Sequence, residues 1–171
     1  MNKALPLLVA LFLWFAAPAS ALEVGETAAA FTAADFDGAP IDYPQVAEGR
    51  PTIMIFWATW CPHCAAFMPY LKEIQADYGA SRIAVVAVNI QEDGSGDPRA
   101  YIRDLGFPVT AVAEGDAIAA EYDVDLVPTI YVLNASAQLQ FVQPFTTMPA
   151  GDTVAGFWDR QVRRALDRTL E

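Results

Sequence analysis

Cysteine and histidine are scarce, with two of the first and one of the second in 171 residues. That excludes a multi-disulfide scaffold and leaves too little nitrogen and sulfur to close an ordinary structural zinc site. Basic residues are also few. Ten Lys+Arg stand against 21 Asp+Glu, a net charge of −11 with a pI near 4.3, the wrong sign for holding phosphate backbones or anionic lipid by charge. Nucleic acid is thereby excluded as a partner. Charged residues make up only 18% of the chain against 54% hydrophobic, and the mean hydropathy is +0.26. The chain is too apolar for disorder and long enough for one packed domain. No repeat, low-complexity tract or Pro/Ser-rich linker divides it.

The amino terminus has the layout of a secretory signal: Lys3, an apolar run from Leu5 to Ala17, and small residues at Ala19-Ser20-Ala21. Residues 1–21 are therefore expected to be a cleaved signal peptide and 22–171 the mature domain, secreted or periplasmic and free of the membrane. The alternative is an uncleaved anchor, since no charge falls between Ala4 and Leu22. Cleavage would leave 9 basic and 21 acidic residues, a net charge of −12, in an oxidising compartment.

Within the mature chain, Phe31 to Ile41 reads as a hairpin about Asp37-Gly38, and Pro51 to Ala58 is an apolar run suited to a strand buried on both faces. Phe67, Leu71, Ile74 and Tyr78 recur at helical spacing until Gly79. Ile83 to Ile90 predicts a second buried strand, and Pro98 to Leu105 a helix with proline at its first position. This βαβα order implies parallel pairing. One or two helical turns over Ala117 to Tyr122 precede a strand at Thr129 to Leu133, a turn at Asn134 to Ser136, and a last strand over Gln138 to Phe145. Asp152 is a candidate cap for a final helix whose stripe of Val154, Phe157, Trp158, Val162, Ala165 and Leu166 faces the sheet, with Arg160, Arg163, Arg164 and Arg168 on the solvated side.

The chemistry concentrates in Trp60-Cys61-Pro62-His63-Cys64, at the handover from a buried strand to a helix. The first sulfur then lies beside unpaired backbone N–H groups and the positive end of the helix dipole, which favours thiolate. Thiolate is the nucleophile of disulfide exchange, so Cys61 is the expected attacking, more exposed sulfur and Cys64 the buried partner. His63 adds a positive charge that would stabilise the reduced form. Half a metal site and an inert staple are the competing readings. A metal needs further ligands, and a staple closing so short a loop removes little unfolded-state entropy.

FWATWCPHC at Phe56 to Cys64, Pro69 within the following helix, and Val127-Pro128-Thr129 before a late strand together resemble the thioredoxin fold, and more narrowly the exported TlpA/ResA/CcmG-type thiol-disulfide oxidoreductases. The resemblance implies an α/β thioredoxin-like domain, a central mixed β-sheet flanked by helices with an N-terminal β-hairpin extension. It also implies a cis Val127-Pro128 bond beside the cysteines and a substrate groove formed by Trp60, Val127 and Pro128. Two departures stand out. The buried Asp that thioredoxins carry six residues before the first cysteine is here Ile55, while Val88-Asn89-Ile90-Gln91-Glu92 matches a ResA-like pattern that makes Glu92 the expected proton acceptor for Cys64. Pro62-His63 and the valine before Pro128 are DsbA-like.

The leading expectation is a thiol-disulfide oxidoreductase without a dissolved cofactor or a metal, acting on client proteins with cysteines or disulfides and served by a separate redox donor or acceptor, with cytochrome c maturation as one setting. A DsbA-like oxidase is the rival within the class. A copper-handling protein using Cys61, Cys64 and Met68 is the rival outside it. A peroxidase on the same fold would need a reactive cysteine outside a CxxC.

Overall fold

The computed structural model describes residues 22–143 and 153–171. A hairpin of β1 (Phe31–Ala34) and β2 (Pro40–Tyr43) precedes the main sheet. Then follow β3 (Thr52–Trp57), α1 (Pro62–Tyr78), β4 (Ala84–Asn89), α2 (Pro98–Leu105), β5 (Thr110–Val112), α3 (Asp116–Glu121), β6 (Thr129–Leu133), β7 (Leu139–Val142) and α4 (Val154–Leu170). The sheet order is β5-β4-β3-β6-β7, with β3 parallel to β4 and antiparallel to β6. It is the mixed sheet the sequence predicts, with the hairpin as an extension.

Every residue of β3, β4 and β6 is buried, which is why these segments read as continuous apolar runs rather than alternating ones. Their two faces serve different layers. Met54, Phe56, Val86, Val88, Tyr131 and Leu133 pack toward the hairpin and α3, and Ile53, Ile55, Trp57, Ile130 and Val132 pack under α1 and α4 together with both cysteines. The short strand β5 is absent from the sequence expectations, because three residues give no usable alternation.

Two expectations about α4 are corrected. Its cap is Thr153, whose hydroxyl accepts the Gly156 N–H at 3.1 Å, while Asp152 lies outside the described residues. Arg163 is only partly solvated: it pairs with Asp159 and Asp77, both at 2.7 Å, and so ties α4 to α1. Tyr78 reinforces the tie by donating to Asp167 at 2.6 Å. The last strand ends at Val142, and its expected continuation beyond Gln143 also lies outside the described residues, as does the expected signal segment 1–21.

Candidate active site

Strand β3 ends at Trp57 and the chain turns through Ala58 to Trp60, so that Cys61 becomes the N-cap of α1 with Pro62 at its first position. Proline suits that position because its missing N–H would be unpaired there in any case. The Cys61 sulfur accepts the backbone N–H of Cys64 at 3.1 Å. A sulfur at a helix N-terminus, already facing an inward-pointing N–H, has its negative charge stabilised by backbone dipoles. Cys61 and Cys64 are joined as a disulfide with their Cα atoms 5.2 Å apart. The expected difference in exposure is absent in this oxidised form, where Cys61 is 2% and Cys64 1% accessible. The disulfide packs both residues into the layer under α1, so any preference for Cys61 must come from charge stabilisation and from which sulfur a partner reaches when the bond opens.

His63 is exposed, with its ring edge-on to Trp158 of α4 at 6.1 Å between centroids. Val127-Pro128 is cis, Pro128 is buried, and Val127 packs against the cluster that contains both cysteines. Trp60, 42% exposed, and Leu126, 55% exposed, stand in the segments that carry the cysteines and the cis proline. Met68, a candidate copper ligand, is buried in the core.

Glu92 does not hydrogen-bond to either cysteine among the described residues. Its carboxylate accepts from the Thr59 N–H at 2.8 Å, from the Asn89 side-chain amide at 2.6 Å, and from the Thr59 hydroxyl. It therefore fastens the turn before Cys61 to the end of β4. Gly96 lies so close to this turn that a Cβ there would collide with the Thr59 side chain. Gln91 completes the assembly. Its carbonyl accepts from the Trp60 indole at 2.6 Å, its N–H donates to Asp116 at 2.9 Å, and its side chain donates to the Asp125 carbonyl at 3.1 Å. One residue thus links the cysteine turn, α3 and the loop leading to Pro128.

Thr59, Gln91 and Leu126 are absent from the roles expected on sequence. Thr59 and Gln91 act through backbone and loop contacts that no residue pattern announces. Leu126 follows Asp123-Val124-Asp125, and since Val124 in the same run is buried, the pattern does not announce that Leu126 is exposed.

The profile of the AhpC/TSA family matches residues 24–142. The thioredoxin-like protein YneN of Bacillus subtilis (strain 168) is 38% identical over 100 residues, 56% of this chain and 57% of that protein. The thiol-disulfide oxidoreductase ResA of Bacillus anthracis is 26% identical over 131 residues, covering 75% of this chain and 74% of its own. Among solved structures, a secreted Mycobacterium tuberculosis disulfide oxidoreductase homologous to E. coli DsbE superposes with a TM-score of 0.59 at 22% identity, over 78% of this chain and 95% of that one. At that identity the likeness shows the fold, which is thioredoxin-like.

Proposed function

Since the chain belongs to the AhpC/TSA family, we propose that it is a ResA-like thiol-disulfide oxidoreductase that works as a reductase of client disulfides, exported to an oxidising compartment. The observation that carries this reading is the disulfide at the α1 N-terminus, with Cys61 as N-cap and acceptor of the Cys64 N–H. In the dithiol form the Cys61 thiolate attacks one sulfur of a client disulfide, forming a mixed disulfide and releasing a client thiolate. Cys64 then gives up its proton and attacks the Cys61 sulfur, which frees the second client thiolate and restores the Cys61–Cys64 bond. Two electrons pass to the client, and a donor dithiol returns them.

The ResA relative supports this direction, as does the absence of any sizeable helical insertion between the β3-α1-β4 half and the β6-β7 hairpin, where only the short helices α2 and α3 and the strand β5 intervene. Pro62-His63 favours the opposite direction by stabilising the dithiol. Cytochrome c maturation is a setting in which such a reductase would serve. Among the described residues no helix is long and apolar enough to cross a membrane.

The test is the reduction potential of the mature protein together with turnover of a disulfide-containing client. A potential below the glutathione pool with steady reduction of the client supports the reductase. A potential near that of a strong oxidant, with rapid oxidation of reduced clients, would overturn it in favour of the oxidase.

A further inference from the structure

Gln143 follows β7 and is 3% exposed, yet among the described residues neither its carboxamide oxygen nor its nitrogen has a hydrogen-bond partner. A buried, unpaired amide is costly, and nearly all such groups find partners. Its direction follows from the ladder. β7 pairs Phe141 with Val132 and Val142 with Tyr131, and the Gln143 N–H donates to the Ile130 carbonyl at 2.9 Å. Alternation then places the Gln143 side chain on the same face as Phe141, Val132 and Ile130. That is the face whose cluster contains Cys61 and Cys64. Ile130 in turn pairs with Ile55, so Gln143, Ile130 and Ile55 form one row across the sheet on the face that α1 and α4 together cover.

A disulfide asks for little hydrogen bonding. Its reduction by a donor dithiol transfers two electrons, the donor becoming a disulfide, and the two protons released by the donor go to the new sulfurs or, where a sulfur stays thiolate, to solvent. Cys64 is then a polar group in an apolar layer. Ile55 offers it nothing, and the Glu92 carboxylate is occupied by Thr59 and Asn89. The Trp57 indole nitrogen, also buried and unpartnered among the described residues, can donate but cannot accept a thiol proton. A carboxamide can do both.

We propose that Gln143 is a positioning residue for the redox couple: its side chain is unpaired in the disulfide form and hydrogen-bonds to Cys64 in the dithiol form, stabilising the reduced state. The proposal rests on the reading of Cys61–Cys64 as an exchanging pair. Its test is the equilibrium of the mature protein with glutathione and the thermal stability of each redox form, for the parent and for Gln143→Met and Gln143→Leu. The expected result is a shift of about three- to tenfold toward the disulfide, the range of one neutral hydrogen bond, tenfold being about 30 mV for two electrons. The oxidised variants should gain stability relative to the reduced ones. An equilibrium constant within twofold of the parent, or equal stabilisation of both forms, would overturn the proposal. So would a loss of client turnover at unchanged equilibrium, which would assign Gln143 to client binding. Should both variants fail to fold, the side-chain amide resonances of Gln143 in the parent serve instead: they should shift and exchange more slowly on reduction, and unchanged resonances sink the idea. Glutathione equilibration requires only a reducible pair, so failure of the parent to reduce clients would remove the proposed function and leave this measurement standing.

Discussion

His63 lies outside the packed interior, yet its neighbours in the chain are Pro62 and Cys64 and its ring meets Trp158. The role expected of His63 from the sequence is to stabilise the Cys61 thiolate and with it the dithiol. His63→Ala should therefore lower the reduction potential, by about 30 mV if the interaction is worth ~1.4 kcal/mol, as measured against glutathione; an unchanged potential would reduce His63 to a surface residue of α1. Glu92 calls for a different experiment. Its carboxylate takes three donors from Thr59 and Asn89, and glutamine, with one oxygen and a donor of its own, cannot replace it. Glu92→Gln should cost about 1–3 kcal/mol in urea unfolding, the penalty of unpairing a partly buried donor. It should also slow client reduction by a similar factor at every pH. A loss confined to one pH limb would instead restore the role expected from the sequence, a proton acceptor for Cys64.

At the scale of elements, the two long helices are held together by side chains as well as by the apolar layer beneath them. Tyr78 donates to Asp167 while Arg163 pairs with Asp77 and Asp159. Burial first, then the hydrogen bond to Asp167, pushes the Tyr78 hydroxyl up to about 12 from its ordinary 10.0. The neutral hydroxyl is the donor, and its folded value lies above the unfolded one. The tie is therefore complete below pH ~10 and lost as the pH rises toward 12. Thermal unfolding of the parent should lose stability across that interval, whereas Tyr78→Phe should be less stable than the parent below it and show a flatter alkaline limb. Equal alkaline slopes for the two proteins would mean that the tie contributes nothing.

For the whole molecule, the exposed edge of a sheet is where unpaired backbone groups invite another chain. Here β5 and β7 are the two edges, and the amino-terminal segment covers part of β7 and the turn before it: Gly25 donates to Leu139, Leu139 to Glu26, and Ala28 to Ala137, each at 2.8 Å. Removing residues 22–28 should cost about 2–4 kcal/mol, three backbone hydrogen bonds at their net worth. It should also produce association visible by light scattering, with the cysteine pair still formed; a monomeric, equally stable product would show the segment to be dispensable. The order of strands and helices apart from β5, the buried run before the cysteines, the helix that starts at Cys61 and the hairpin extension were all legible in the sequence. They depend on residues a few positions apart, whose spacing and turn chemistry are local properties. Pro128 as a cis proline was legible through resemblance, but the cap at Thr153, the Arg163 pairs and the small strand β5 were not. Nor was the meeting of Glu92 with Thr59, of Gln91 with Asp125, or of Gln143 with the cysteine face. The first two join positions 33 and 34 residues apart, and all three depend on strand order and register, where a shift of one residue turns a side chain to the opposite layer. The sequence by itself determined the reactive pair and the fold that presents it, whereas the partners of that pair were decided only when the sheet closed.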